Sequence, residues 1–114
     1  MESETEIWKK IEDFFKEKFL DGETPDLNTM LFFIGLQETG LGYQKYKRDD
    51  KMNLYHAAVC RLLEPYGYYR FEGYDGDHWP LYEVVKPMPE LKPNEQTILM
   101  KKAIIQYFED EKLL

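Results

Sequence analysis

Tyr66-Gly67-Tyr68-Tyr69-Arg70-Phe71-Glu72-Gly73-Tyr74-Asp75-Gly76-Asp77-His78-Trp79-Pro80-Leu81-Tyr82 decides the fold. Two aromatic runs flank Asp-Gly-Asp, a tight-turn sequence, so the segment reads as an antiparallel hairpin with strands at about 68–74 and 79–85. Alternation along the first strand sets Tyr69 and Phe71 on one face. It sets Tyr68, Arg70, Glu72 and Tyr74 on the other, half-exposed one. Asp75-Gly76 is expected to supply a positive φ for the turn.

Helical patterns lie on both sides of the hairpin. Ser3-x-x-Glu6 has capping-box spacing and opens a first helix to about Leu20, with Ile7, Trp8, Ile11, Phe14, Phe15 and Phe19 on one face. Asp21-Gly22 ends it, and Thr24-Pro25 restarts the chain as N-cap and first-turn proline. A second helix runs to about Glu38 and stops at Gly40 or Gly42. Its apolar residues, Leu27 and the run Met30 to Leu36, cover almost the whole circumference, which marks a central helix. A third helix begins near Asp49 or Asp50 and ends at Glu64, because Pro65 opposes continuation. Met52, Tyr55, Val59, Leu62 and Leu63 are its expected inward face, and Asn53, Ala57, Arg61 and Glu64 its exposed one. Pro87, Pro89 and Pro93 punctuate the exit from the hairpin, and a fourth helix spans about Asn94 to Phe108. The expectation is one α+β domain over residues 1–114: four helices with one antiparallel β-hairpin, in the order α-α-α-β-β-α.

Composition narrows the functional classes. The chain has 114 residues, 43% of them hydrophobic and 16% aromatic, which is ample for a single core with rings to spare for an interface or pocket rim. One cysteine excludes an internal disulfide and points to a reducing compartment. The longest apolar run is too short to span a bilayer, and the N-terminal Met-Glu-Ser-Glu-Thr-Glu is acidic where a signal peptide is basic. Both predict a cytoplasmic protein.

Charge argues against a polyanion partner. The net charge of −7 is concentrated in two places. Residues 2–26 carry nine acidic and four basic side chains, and residues 64–85 five acidic and one basic. The element order is loosely winged-helix-like, with the third helix in the recognition position and the hairpin as wing. Three features oppose that reading. The connection between helices two and three far exceeds the roughly three or four residues of a helix-turn-helix turn. The exposed side of helix three is poor in base-reading groups. The hairpin tip carries Asp75 and Asp77 where a wing touching phosphates wants lysine or arginine. Lys45, Lys47, Arg48 and Lys51 form the basic cluster, diluted by Asp49 and Asp50.

Several constellations could carry chemistry, each with a plainer use. Tyr74, Asp75, Asp77, His78 and Trp79 gather carboxylates, an imidazole and rings at the hairpin tip, the best candidate ligand site. The same aspartates and glycine also simply make the turn. Calcium-loop spacing fails, since Gly76 as the loop glycine puts Phe71, Gly73 and Tyr82 where ligands belong. His56 and Cys60 are four apart and share one helix face. With His78 or Asp77 they could hold zinc, although a structural site wants four ligands and the chain has one Cys and two His. As a thiol–imidazole dyad they lack a third residue to orient the base. Gly40-x-Gly42-x-x-Lys45 follows a helix, the wrong context for a phosphate loop. No cofactor is expected.

Phe33-Ile-Gly-Leu-Gln-Glu-Thr-Gly40, Leu54-Tyr-His-Ala-Ala-Val-Cys-Arg-Leu-Leu63, Tyr66-Gly-Tyr-Tyr69 and Gly73-Tyr-Asp-Gly-Asp-His-Trp-Pro80 resemble a family of small, uncharacterised bacterial proteins, over most of the chain. The resemblance implies a cytoplasmic bacterial protein and brings no activity with it.

The fourth helix bears on assembly. Leu99, Met100, Ala103, Ile104, Tyr107 and Phe108 cover about half its circumference, while Ile98 and Ile105 lie together outside that arc. Two apolar surfaces need two neighbours, so a homodimer through Leu99, Ile104, Tyr107 and Phe108 is expected. The leading functional expectation is a non-enzymatic module for a protein partner or a small ligand, with a winged-helix regulator and a hairpin-based enzyme or metal protein as alternatives.

Overall fold

The computed structural model describes residues 3–18, 26–40, 46–76 and 79–114. The described elements are the helices α1 (Glu4–Lys18), α2 (Leu27–Thr39), α3 (Arg48–Leu63) and α4 (Pro93–Asp110) and a hairpin of β1 (Tyr69–Tyr74) and β2 (Pro80–Val84). The class and order are those expected, α+β and α-α-α-β-β-α. No helix among the described residues is long and apolar enough to cross a membrane. Contacts gather into two compact units, one of residues 1–26 and 90–114, the other of residues 27–89.

In the first unit α1 and α4 pack together. Ser3 caps α1 as its spacing predicts, with its hydroxyl accepting the Glu6 N–H at 3.2 Å. Ile11 and Phe15 are buried, and Phe14 meets Phe108 edge-on with ring centroids 5.3 Å apart. At the start of α4 the Glu95 carboxylate accepts the Lys92 N–H at 3.0 Å and Pro93 occupies the first turn. Ala103, Ile104, Tyr107 and Phe108 are buried within the single chain. Ile98, in contrast, is 52% exposed.

The second unit is built on the α2–α3 pair. Gly35 of α2 lies against the α3 backbone. A Cβ added there would overlap the Leu54 carbonyl oxygen and come within 2.8 Å of its carbon. Only a residue without a side chain permits so close a crossing. One turn later Thr39 donates its hydroxyl to the Gly35 carbonyl at 2.9 Å, and Gly40, at φ +72°, ends the helix as expected. Thr24-Pro25, Asp21-Gly22, Phe19 and Gly42 fall outside the described residues.

This crossing changes which face of α3 turns inward. Leu54, Ala57, Ala58, Cys60, Leu62 and Leu63 are buried, Tyr55 and Val59 are half-buried, and Met52 is 59% exposed. The stripe read from bulky residues is thus displaced around the axis. Small side chains occupy the positions where backbones and the hairpin come close. Arg61 pairs with Glu38 at 3.2 Å and is well covered, so neither Ala57 nor Arg61 is an open surface position.

A 3-10 turn over Glu64–Tyr66 contains Pro65, and Gly67 at φ +83° redirects the chain into β1. The register pairs Tyr69 with Val84, Arg70 with Glu83 and Phe71 with Tyr82, then slips by one so that Gly73 opposes Leu81. The slip is a β-bulge at Glu72, with Gly73 at φ +112°. It overturns the simple alternation: Tyr74 joins the side of Phe71, their ring centroids 5.3 Å apart, while Phe71 also meets Tyr82 at 5.5 Å. The positive φ expected at Asp75-Gly76 is found instead at Gly73, and among the described residues a Cβ at Gly76 would meet nothing within 4 Å. Val85 donates to the Tyr68 carbonyl at 2.9 Å, so by antiparallel alternation the Phe71 N–H points away from β2. The Glu64 carboxylate accepts it at 3.1 Å.

Three glycine variants separate these constraints in denaturant melts. Gly35→Ala is expected to destabilise by about 2–3 kcal/mol through overpacking against fixed backbone. Gly73→Ala should cost about 1–2 kcal/mol through strain, and Gly76→Ala less than about 0.5 kcal/mol. Equal midpoints for all three would remove both the crossing and the bulge assignment.

Candidate functional site

The hairpin folds back on α3, and among the described residues two clefts lie between them. The larger, about 360 Å³, is lined by Asn53, His56 and Ala57 of α3 and by Asp75, Trp79 and Pro80 of the hairpin. Asn53 shares one flank of α3 with His56 and Ala57, which stand three and four residues further on. Ala57 gives the hairpin room to approach, and Trp79 and Pro80 are half-buried on the opposite side.

Asp75 organises the loop that brings Trp79 to α3. Its backbone N–H donates to the Trp79 carbonyl at 2.9 Å, and its carboxylate accepts the Trp79 N–H at 3.0 Å. The side chain therefore closes the loop as a turn aspartate does, while its charge stays at the cleft. Asp75 and Trp79 come together as the sequence reading expected, and Tyr74 lies instead on the other cleft. Asp77 and His78 lie outside the described residues.

His56 and Cys60 are in contact, with Sγ 3.5 Å from Nε2. Burial pushes the Cys60 thiol up to about 11, so at neutral pH the sulfur is protonated, a poor nucleophile and a poor metal ligand. His56 is exposed on the cleft wall, with its ring edge-on to Tyr69 at 6.5 Å. Among the described residues no group of three or more His, Cys, Asp and Glu side chains converges as metal ligands would.

The smaller cleft, about 160 Å³, lies beside the Arg61–Glu38 pair and is also lined by Glu64, Phe71, Tyr74 and Tyr82. Burial, then the charges of Glu38 and Glu64, push the Tyr82 phenol above its ordinary range, against the opposing pull of Arg61. Its hydroxyl thus stays protonated under any physiological condition.

The same geometry bears on DNA recognition. The flank of α3 that would enter a groove carries buried Ala57, ion-paired Arg61, and Glu64 bound to the β1 backbone. The hairpin packs on that flank, whereas a wing stands beside it. On the outer face, exposed Arg70 pairs with both Glu72 and Glu83. Comparison with protein-family models, curated proteins and solved structures finds no match to this chain. Sequence spacing foresaw the His56–Cys60 contact and the Asp75–Trp79 proximity. It gave no signal for Asn53, whose place on the cleft follows from the hairpin's packing.

Asp75 provides a direct check on the loop. Asp75→Ala should lower stability by about 0.5–1 kcal/mol, the worth of one turn hydrogen bond, whereas Asp75→Asn keeps an acceptor and should stay within about 0.5 kcal/mol of the parent. Equal losses in urea titrations would mean that charge, and not the bond to Trp79, holds the loop.

Proposed function

We propose that the protein is a non-enzymatic binding module whose ligand site is the cleft between α3 and the hairpin loop. The observation that carries this reading is the convergence of Asn53, His56, Asp75 and Trp79 on one cavity of about 360 Å³. That volume suits a small ligand or a single side chain of a partner. The mixture of one large ring with a few polar groups is the usual make-up of such sites. Binding is favoured over catalysis because two described candidates for nucleophile and base, Cys60 and Asp75, have other work. The Cys60 thiol is held protonated, and the Asp75 carboxylate is bonded to the loop it closes.

Amide and indole chemical shifts of the labelled protein, followed against a panel of small polar and aromatic compounds, test the reading. Ligand-dependent shifts should centre on Asn53, His56 and the Trp79 indole, and Trp79→Ala should abolish them. Shifts centred elsewhere, or none across the panel, would overturn it.

A second copy of the chain is the further partner we propose, through α4. Exposed Ile98 favours such a contact, since Ile104, Tyr107 and Phe108 are already buried in one chain and Leu99 is half-buried. Light scattering should give twice 13.7 kDa, returned to the monomer value by Ile98→Glu. A mass of 13.7 kDa at every micromolar concentration would exclude the dimer.

A further inference from the structure

We infer that the cleft between α3 and the hairpin takes a basic side chain, the arginine or lysine of a partner protein; this rests on its reading as the ligand site. Among its described lining residues none is lysine or arginine, one is Asp75, and one is Trp79. Half-buried Trp79 and the Asp75 carboxylate, side by side through their hydrogen bonds, present the two groups that a cation on an aliphatic stem uses. The indole face attracts the charge and covers the methylenes, and the carboxylate neutralises the charge.

The loop fixes this pair. Because Asp75 and Trp79 exchange two hydrogen bonds, 2.9 and 3.0 Å long, the carboxylate and the Trp79 backbone are positioned before any ligand arrives. Asn53 and His56 line the opposite wall, and the Asn53 amide oxygen can accept guanidinium or ammonium N–H groups. The wider field has the same sign. Residues 64–85 carry five acidic side chains against one basic one in a chain of net charge −7, so a basic partner is drawn to this end and an acidic one is repelled.

Three blocked amino acids serve as probes: N-acetyl-lysine methylamide, N-acetyl-arginine methylamide, and the uncharged N-acetyl-norleucine methylamide. Titrated into the labelled full chain, the two cations should shift Asn53, His56 and the Trp79 indole. They should bind roughly two- to five-fold more tightly than norleucine, the scale of one exposed cation–π or ion-pair contact. Asp75→Asn, which keeps the loop's acceptor, should narrow that gap, and so should added salt. Trp79→Leu should weaken both cations while the fold persists. Norleucine binding as tightly as lysine at these same residues would overturn the inference and leave the ligand site standing. Absence of shifts at these residues with all three probes would overturn the inference, whereas the site itself falls only if the wider compound panel also fails there.

Discussion

The backbone contact between Gly35 and Leu54 is the constraint on which the residues 27–89 unit depends. It sets how near α2 and α3 approach, and so which flank of α3 is left for the hairpin. Side chains at the crossing have no room, and close-packed interiors do not yield to accommodate them. Small residues therefore continue the contact region on α3, where Ala57 and Ala58 are buried. Thr39 returns its hydroxyl to the same Gly35 carbonyl, so the helix that makes the crossing is also fastened at its last turn.

From that crossing the site follows in steps. The 3-10 turn and Gly67 redirect the chain at the end of α3, and the ladder from Tyr68 to Val85 starts the hairpin in register. The bulge at Glu72 rotates the distal part of β1, which carries Tyr74 to the side of Phe71 and sets Asp75 at the head of its loop. Bulges increase local twist and re-aim side chains, and here Asp75 and Trp79 are brought over Ala57 and His56. Two clefts of different character result, one beside a carboxylate and an indole, the other beside a shielded ion pair and a half-buried phenol.

The element types and order were legible because local rules carry them. Ser3 capping, Pro65 and Pro93, and the Gly40 stop each act within a few residues of where they stand. The inward face of α3 was not legible, because bulk is a guide to burial only where space exists. Met52 is large and exposed, while Ala57 is small and buried. The turn was misread for a similar reason: Asp-Gly attracts a positive φ in a two-residue loop, yet this loop runs from Asp75 to Trp79 and the strained position moved to Gly73 in the strand. Half of the site, Asp75 with Trp79, was visible as a local cluster. The other half depended on tertiary packing that no spacing rule encodes.

The bond from the Phe71 N–H to the Glu64 carboxylate has a consequence for solubility during synthesis and storage. A two-stranded ribbon has two edges, each a template for an incoming strand from another molecule. On the β1 edge one outward donor is already taken, and the acceptor that takes it carries a negative charge that a foreign backbone carbonyl would have to displace. On the other strand Pro80 removes a donor at the start of the edge. In this aromatic-rich hairpin one glutamate anchored in the turn before it and one proline within it thereby withhold one donor on each edge from an incoming strand.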